Sequence, residues 1–99
     1  MPLIARQTDT LDTGHGCTST TTLDAPGQTF VKVQGQYVAR LGDPTVSHTH
    51  NPPLCPSHVE VIKGSSAVVK VCGLLVGRVN DGCDAGKITS GASFVNVGA

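Results

Sequence analysis

The side chains best able to do chemistry crowd into His48-Thr-His-Asn-Pro-Pro-Leu-Cys-Pro-Ser-His58, where three imidazoles and one thiol share a proline-stiffened loop. Imidazole nitrogen and thiolate sulfur are the donors that tetrahedral zinc prefers. Two imidazoles of this loop, His48 and His58, with His15 near the N-terminus and Cys83 near the C-terminus, would make a His₃Cys shell. Four protein donors leave no position for water, so such an ion is expected to be structural and not catalytic. His50, Cys17 and Cys55 compete for the same role. They have no counterpart in the repeat that positions the others, although Cys17 stands two residues beyond His15.

Something must carry these donors to one point, and the chain offers a unit used three times. Ile4-Ala-Arg-Gln-Thr-Asp9, Val38-Ala-Arg-Leu-Gly-Asp43 and Val76-Gly-Arg-Val-Asn-Asp81 share the order aliphatic, small, Arg, two variable positions, Asp. A second piece recurs at Phe30-Val-Lys-Val33, Val68-Val-Lys-Val71 and Phe94-Val-Asn-Val97, with Gly35, Gly73 and Gly98 just after. From Phe30 to Asp43 and from Val68 to Asp81 the second piece runs through a Gly turn into the first, the pattern of a short hairpin. The third copy is split, with Ile4 to Arg6 leaving and Phe94 to Val97 returning, so joining the chain ends would complete it. Three similar units, each too small to bury its own apolar face, predict a pseudo-threefold arrangement.

No window carries a period of 3.6, and β-branched residues, Gly and Pro are spread throughout, so an all-β domain with almost no helix is expected over residues 1–99. Long connections follow each Asp: Thr10 to Ala25, Pro44 to Ser57, Gly82 to Ser90. Each places a donor after its Asp, His15 by six residues, His48 by five and Cys83 by two; His58 closes the middle loop as the fourth ligand. Arg6, Arg40 and Arg78, three residues before Asp9, Asp43 and Asp81, are expected to brace the turns, and Cys72 to be a small packed residue.

A chain of 99 residues with 12 Gly, no Trp and three Phe or Tyr cannot fill a large core, and domains of this kind commonly recruit metal, disulfides or a partner. Zero formal charge without a basic run makes nucleic acid an unsuitable partner. No apolar run suits a signal peptide or a membrane span, so the chain is expected to be made in the cytoplasm, with its cysteines serving as one ligand plus buried thiols.

On Val38-Ala39-Arg40-Leu41-Gly42-Asp43, the degenerate copies at Ile4-Ala5-Arg6 and Val76-Gly77-Arg78, the two strand–turn pieces and the His and Cys positions, nearly the whole chain resembles the PAAR-repeat proteins. Tyr37 and Leu75 stand where the family's Pro would be, and Gly77 replaces an Ala. The resemblance implies a cone with long loops converging at a metal-bound apex, ligated by three His and one Cys. On this chain they match His15, His48, His58 and Cys83. It further implies a structural tip protein that caps, one copy per trimer, the trimeric β-helical spike of a phage tail or type VI secretion machine. The target membrane is then met by puncture, an effector protein is a further partner, and iron is the alternative to zinc. Against this stand a small zinc hydrolase using Asp or Glu60 as base, with water in place of one ligand, and a disulfide-stapled binding module.

Overall fold

The computed structural model describes residues 3–49, 51–63, 69–93 and 95–96. The strands are β1 (Thr10–Asp12), β2 (Thr20–Thr22), β3 (Lys32–Val33), β4 (Gln36–Tyr37), β5 (His48–Thr49), β6 (Ser57–His58), β7 (Lys70–Val71), β8 (Leu74–Leu75), β9 (Gly82–Cys83) and β10 (Gly86–Lys87). Each pairs antiparallel with its sequence neighbour, β1 with β2 through to β9 with β10, and no helix occurs among the described residues. The domain is an all-β assembly of small hairpins, measuring 40 × 24 × 21 Å.

Two of the predicted hairpins form as expected. Gln34-Gly35 joins β3 to β4 with φ of +50° and +83°, and Cys72-Gly73 joins β7 to β8 with +49° and +88°. Positive φ at both central residues marks the turn whose twist matches paired strands. The chain ends also meet, since Leu3 pairs with Asn96 and Ile4 N–H donates to the Val95 carbonyl at 2.9 Å. Phe94, Val97, Gly98, Val68 and His50 lie outside the described residues. Cys72 departs from expectation: it is exposed at its turn between β7 and β8.

A closed ring of backbone pairings organises everything else. Arg6 pairs with Val38, Arg40 with Val76, and Arg78 with Ile4. Within the ring Ala39 N–H donates to Ala5 O (3.0 Å), Gly77 N–H to Ala39 O (2.9 Å) and Ala5 N–H to Gly77 O (2.8 Å). Three strands can meet this closely only where side chains are small. At Gly77 an added Cβ would lie 3.0 Å from Ile62 Cδ1. The Asp carbonyls repeat the same pattern, Asp9, Asp43 and Asp81 accepting from Leu23, Ile62 and Ile88. A further cyclic set pairs Leu11 with Ile88, Thr45 with Leu23, and Cys83 with Ile62.

The ring sorts the core into layers. Ile4, Val38 and Val76 pack with Ala92 against Val33, Val71 and Val95 of the hairpins. The next cluster combines Ala5, Ala39, Leu23, Ile62, Ile88, Leu11 and Cys83. The Arg and Asp pairs brace this frame. Asp9, Asp43 and Asp81 accept from the backbone N–H of Arg6, Arg40 and Arg78 at 2.7, 2.8 and 2.8 Å, each closing a four-residue turn. Arg40 Nη1 also reaches the Cys72 carbonyl at 3.3 Å, so the guanidinium ties its turn to the neighbouring hairpin.

The third position of these turns has positive φ in every copy: +75° at Thr8, +89° at Gly42 and +77° at Asn80. Gly and Asn tolerate that conformation, whereas a β-branched residue is strained in it. Thr8 is exposed, so Thr8→Asn removes strain without disturbing packing. We expect a gain of about 1 kcal/mol, a rise of about 5 °C in a thermal melt. An unchanged or lower melting temperature would refute the strain.

Candidate metal centre

The long connections after each Asp are hairpins in their own right, and they end on one spot. His15 lies in the loop between β1 and β2, held by its N–H to Thr13 Oγ1 at 3.1 Å. The preceding Gly14 adopts φ +77° with its Cα so near Ala85 that a Cβ would sit 2.7 Å from the Ala85 carbonyl oxygen. His48 on β5 and His58 on β6 are direct cross-strand partners, which sets their side chains beside one another. Asp84 follows β9 at the turn into β10, where φ of +58° swings its carboxylate inward.

These four groups converge. Asp84 Oδ1 is 2.6 Å from His15 Nε2, and Asp84 Oδ2 is 2.6 Å from His48 Nε2 and 3.3 Å from His58 Nε2. His58 Nε2 and His48 Nε2 are 2.7 Å apart, and all four donor atoms fall within 4.8 Å of one another. Bonds of about 2.0–2.1 Å to a tetrahedral ion place ligand atoms about 3.3 Å apart, so the set fits an ion with only small adjustments.

The hydrogen bonds around the cluster call for a cation in the same place. His48 Nδ1 is 2.9 Å from the Val46 carbonyl, which can only accept, so Nδ1 carries the ring proton. With Nδ1 engaged by that carbonyl, Nε2 is the His48 atom that faces a carboxylate and a second imidazole. One metal ion bonded to all four groups would replace these close contacts with metal–ligand bonds. The carbonyl behind His48 then acts as the outer partner that orients a metal-binding imidazole. The cluster can hold a metal ion.

Burial works against charge on Asp84, yet hydrogen bonds from His48 and His15, together with positive charge on His15 and His58, outweigh it. The carboxyl is held below its ordinary 3.8. The group remains an anion suited to a cation.

The structure brings His15, His48 and His58 together and leaves Cys83 out. Its thiol is fully buried in the apolar cluster with Leu11, Leu23 and Ile62. Burial first, and then the negative charges of Asp84 and Glu60, push it up to about 12. In the threefold frame Cys83 is the equivalent of Leu11 and Thr45, both fully buried. A residue at that register faces the core, and the next one, Asp84, faces the imidazoles.

The expectation of one ligand plus buried thiols is also corrected. Cys17 and Cys55 form a disulfide across a Cα separation of 5.9 Å, leaving Cys72 exposed and Cys83 buried as free thiols. The two cysteines belong to the loops that carry His15 and His48/His58, which folding brings together.

Neither models of known protein families nor curated proteins match this chain.

Proposed function

We propose that the chain is a structural tip protein of the PAAR-repeat kind, seated on a trimeric β-helical spike of a phage tail or secretion machine and hardened by a metal ion at its far end. The observation that carries this proposal is the cyclic ring of pairings through Ala5, Ala39 and Gly77, which gives one chain the symmetry of a trimer. A single copy can then meet three identical subunits with three similar contacts.

At the hairpin end Phe30 is 85% exposed, and Val69 and Leu74 are also exposed, leaving apolar surface for a partner to cover. Beyond the core, the four donors tie three loops to one point. Three imidazoles and a carboxylate accommodate zinc, with ferrous iron as the alternative. With four protein ligands the ion is structural, supporting the loops against load.

Mixing the purified chain with a trimeric β-helical spike is expected to give a complex of one chain per trimer by multi-angle light scattering. Lack of any complex with the spike encoded for the same particle would overturn the proposal. The Cys17–Cys55 bond favours, as a second reading, a disulfide-stapled binding module. That protein would melt at the same temperature with and without metal.

A further inference from the structure

We propose that Cys17–Cys55 is a redox site that sets the affinity of the metal centre: oxidised, it clamps two ligand-bearing loops into register, and reduced, it lets them part. The inference rests on the metal centre described above.

The disulfide bridges residues 38 apart in sequence. Cys17 is two residues beyond His15, and Cys55 is three before His58. The bond therefore joins the loop giving one ligand to the loop giving two, while Asp84 arrives on a separate hairpin. Weaker ties follow the same seam. Gly16 N–H donates to Asn51 Oδ1 at 2.9 Å, Thr49 N–H donates to Thr18 Oγ1 at 3.3 Å, and the Thr18 and Thr49 hydroxyls hydrogen bond to each other. Cys55 N–H donates to the Asn51 carbonyl at 3.1 Å, so the turn holding the sulfur is the one holding the amide contact. Below the seam, β1 pairs with β2 and β5 with β6, but these pairings act within each loop and fix neither loop tip to the other.

Breaking the covalent tie leaves the loop tips joined by exposed or half-buried polar contacts, while the loop bases stay paired through Leu23 with Thr45 and Val46 N–H to the Thr22 carbonyl. Reduction by a dithiol follows ordinary exchange: the Sγ–Sγ bond breaks, each sulfur gains a proton, and the dithiol loses two electrons and closes to its cyclic disulfide. The loops must then be ordered by the ion itself, and affinity falls by the ordering free energy. Linkage is reciprocal, so a bound ion must make the disulfide harder to reduce by the same factor.

The test compares the full chain, oxidised, with Cys17→Ser/Cys55→Ser in zinc titrations against a chromophoric chelator. Cys72→Ser serves as a cysteine control. We expect one zinc per chain in each, with at least tenfold weaker binding in the double variant alone. Equal affinity in wild type and double variant overturns the redox site and leaves the metal centre standing. Failure of the wild type to bind zinc overturns both. A second measurement covers a double variant that does not fold: the rate at which a water-soluble trialkylphosphine reduces the wild-type disulfide, read as free thiols by mass spectrometry. Zinc is expected to slow reduction at least tenfold by holding the loops closed, and an unchanged rate together with an unchanged reduced fraction at equilibrium in a thiol–disulfide buffer overturns the proposal.

Discussion

Zinc loading is expected to raise the melting temperature of the purified chain by about 20 °C or more, and a chelator to reverse the gain. A structural ion contributes on the order of ten kcal/mol to small metal-dependent domains. Here it has a particular job. The apolar clusters are built from aliphatic residues and Ala packed around the ring, and the layer beyond them holds four polar side chains within 4.8 Å. Without an ion that layer holds three imidazoles and a carboxylate joined by hydrogen bonds and charge alone, a weaker tie between the loops than metal–ligand bonds. With it, three loops become one crosslinked unit.

Acid should reverse this gain in a defined order. Protons compete with the ion for the donor atoms, so metal is released as pH falls and its stabilisation goes with it. The metal-free chain keeps a smaller contribution from Asp84. Its carboxyl is held below 3.8 when folded, so the contribution is fully present above that unfolded value and disappears as pH falls through the lower folded value. Thermal melts between neutral pH and pH 3 should show a loss in the zinc-loaded protein well before the metal-free protein responds. Parallel curves for the two forms would sink the idea that the ion supports the loops.

The frame of the fold was readable because its signals are local or repeated. Gln34-Gly35 and Cys72-Gly73 announce hairpins by turn chemistry alone, and the Arg-x-x-Asp repeat exposes the threefold plan because each copy closes the same turn. The ring through Ala5, Ala39 and Gly77 is another matter. Its pairings join residues tens of positions apart, in strands too short for any periodicity to show. The strands inside the long loops are equally hidden, since β1 and β2 are mostly threonine and β5, β6, β9 and β10 have two residues each.

The candidate site was half legible. His15, His48 and His58 stand out as imidazoles, whereas Asp84 looks like any turn carboxylate beside a more attractive thiol. One clue was present. The donors follow their Asp by six, five and two residues, and equal depth around a threefold axis requires equal register before the loops diverge. Two positions after each Asp stand Leu11, Thr45 and Cys83, a layer shared by an aliphatic residue, a hydroxyl and a thiol, all fully buried. Cys83 therefore belongs with the core. The Cys17–Cys55 pairing had no such clue, because disulfide connectivity follows spatial approach and not spacing along the chain.

That register makes the sharpest contrast available between neighbouring residues. Asp84→Asn keeps the shape of the side chain but removes the charge that faces three imidazoles, and we expect zinc affinity to fall at least about a hundredfold, roughly 3 kcal/mol. Cys83→Ala removes only a sulfur from an apolar layer. Zinc should remain at one per chain, while the small cavity lowers stability by about 1 kcal/mol, or about 5 °C. Elemental analysis of the two variants after dialysis against a weak chelator separates them without reference to folding differences. Loss of zinc from Cys83→Ala with retention in Asp84→Asn would restore the thiolate as the fourth ligand and would require β9 to rotate by one residue. A rotation of that kind would expose Cys83 from among Leu11, Leu23 and Ile62 and send the Asp84 carboxylate into their place, unpaired and buried. The apolar layer and the carboxylate thus specify the same register from opposite sides.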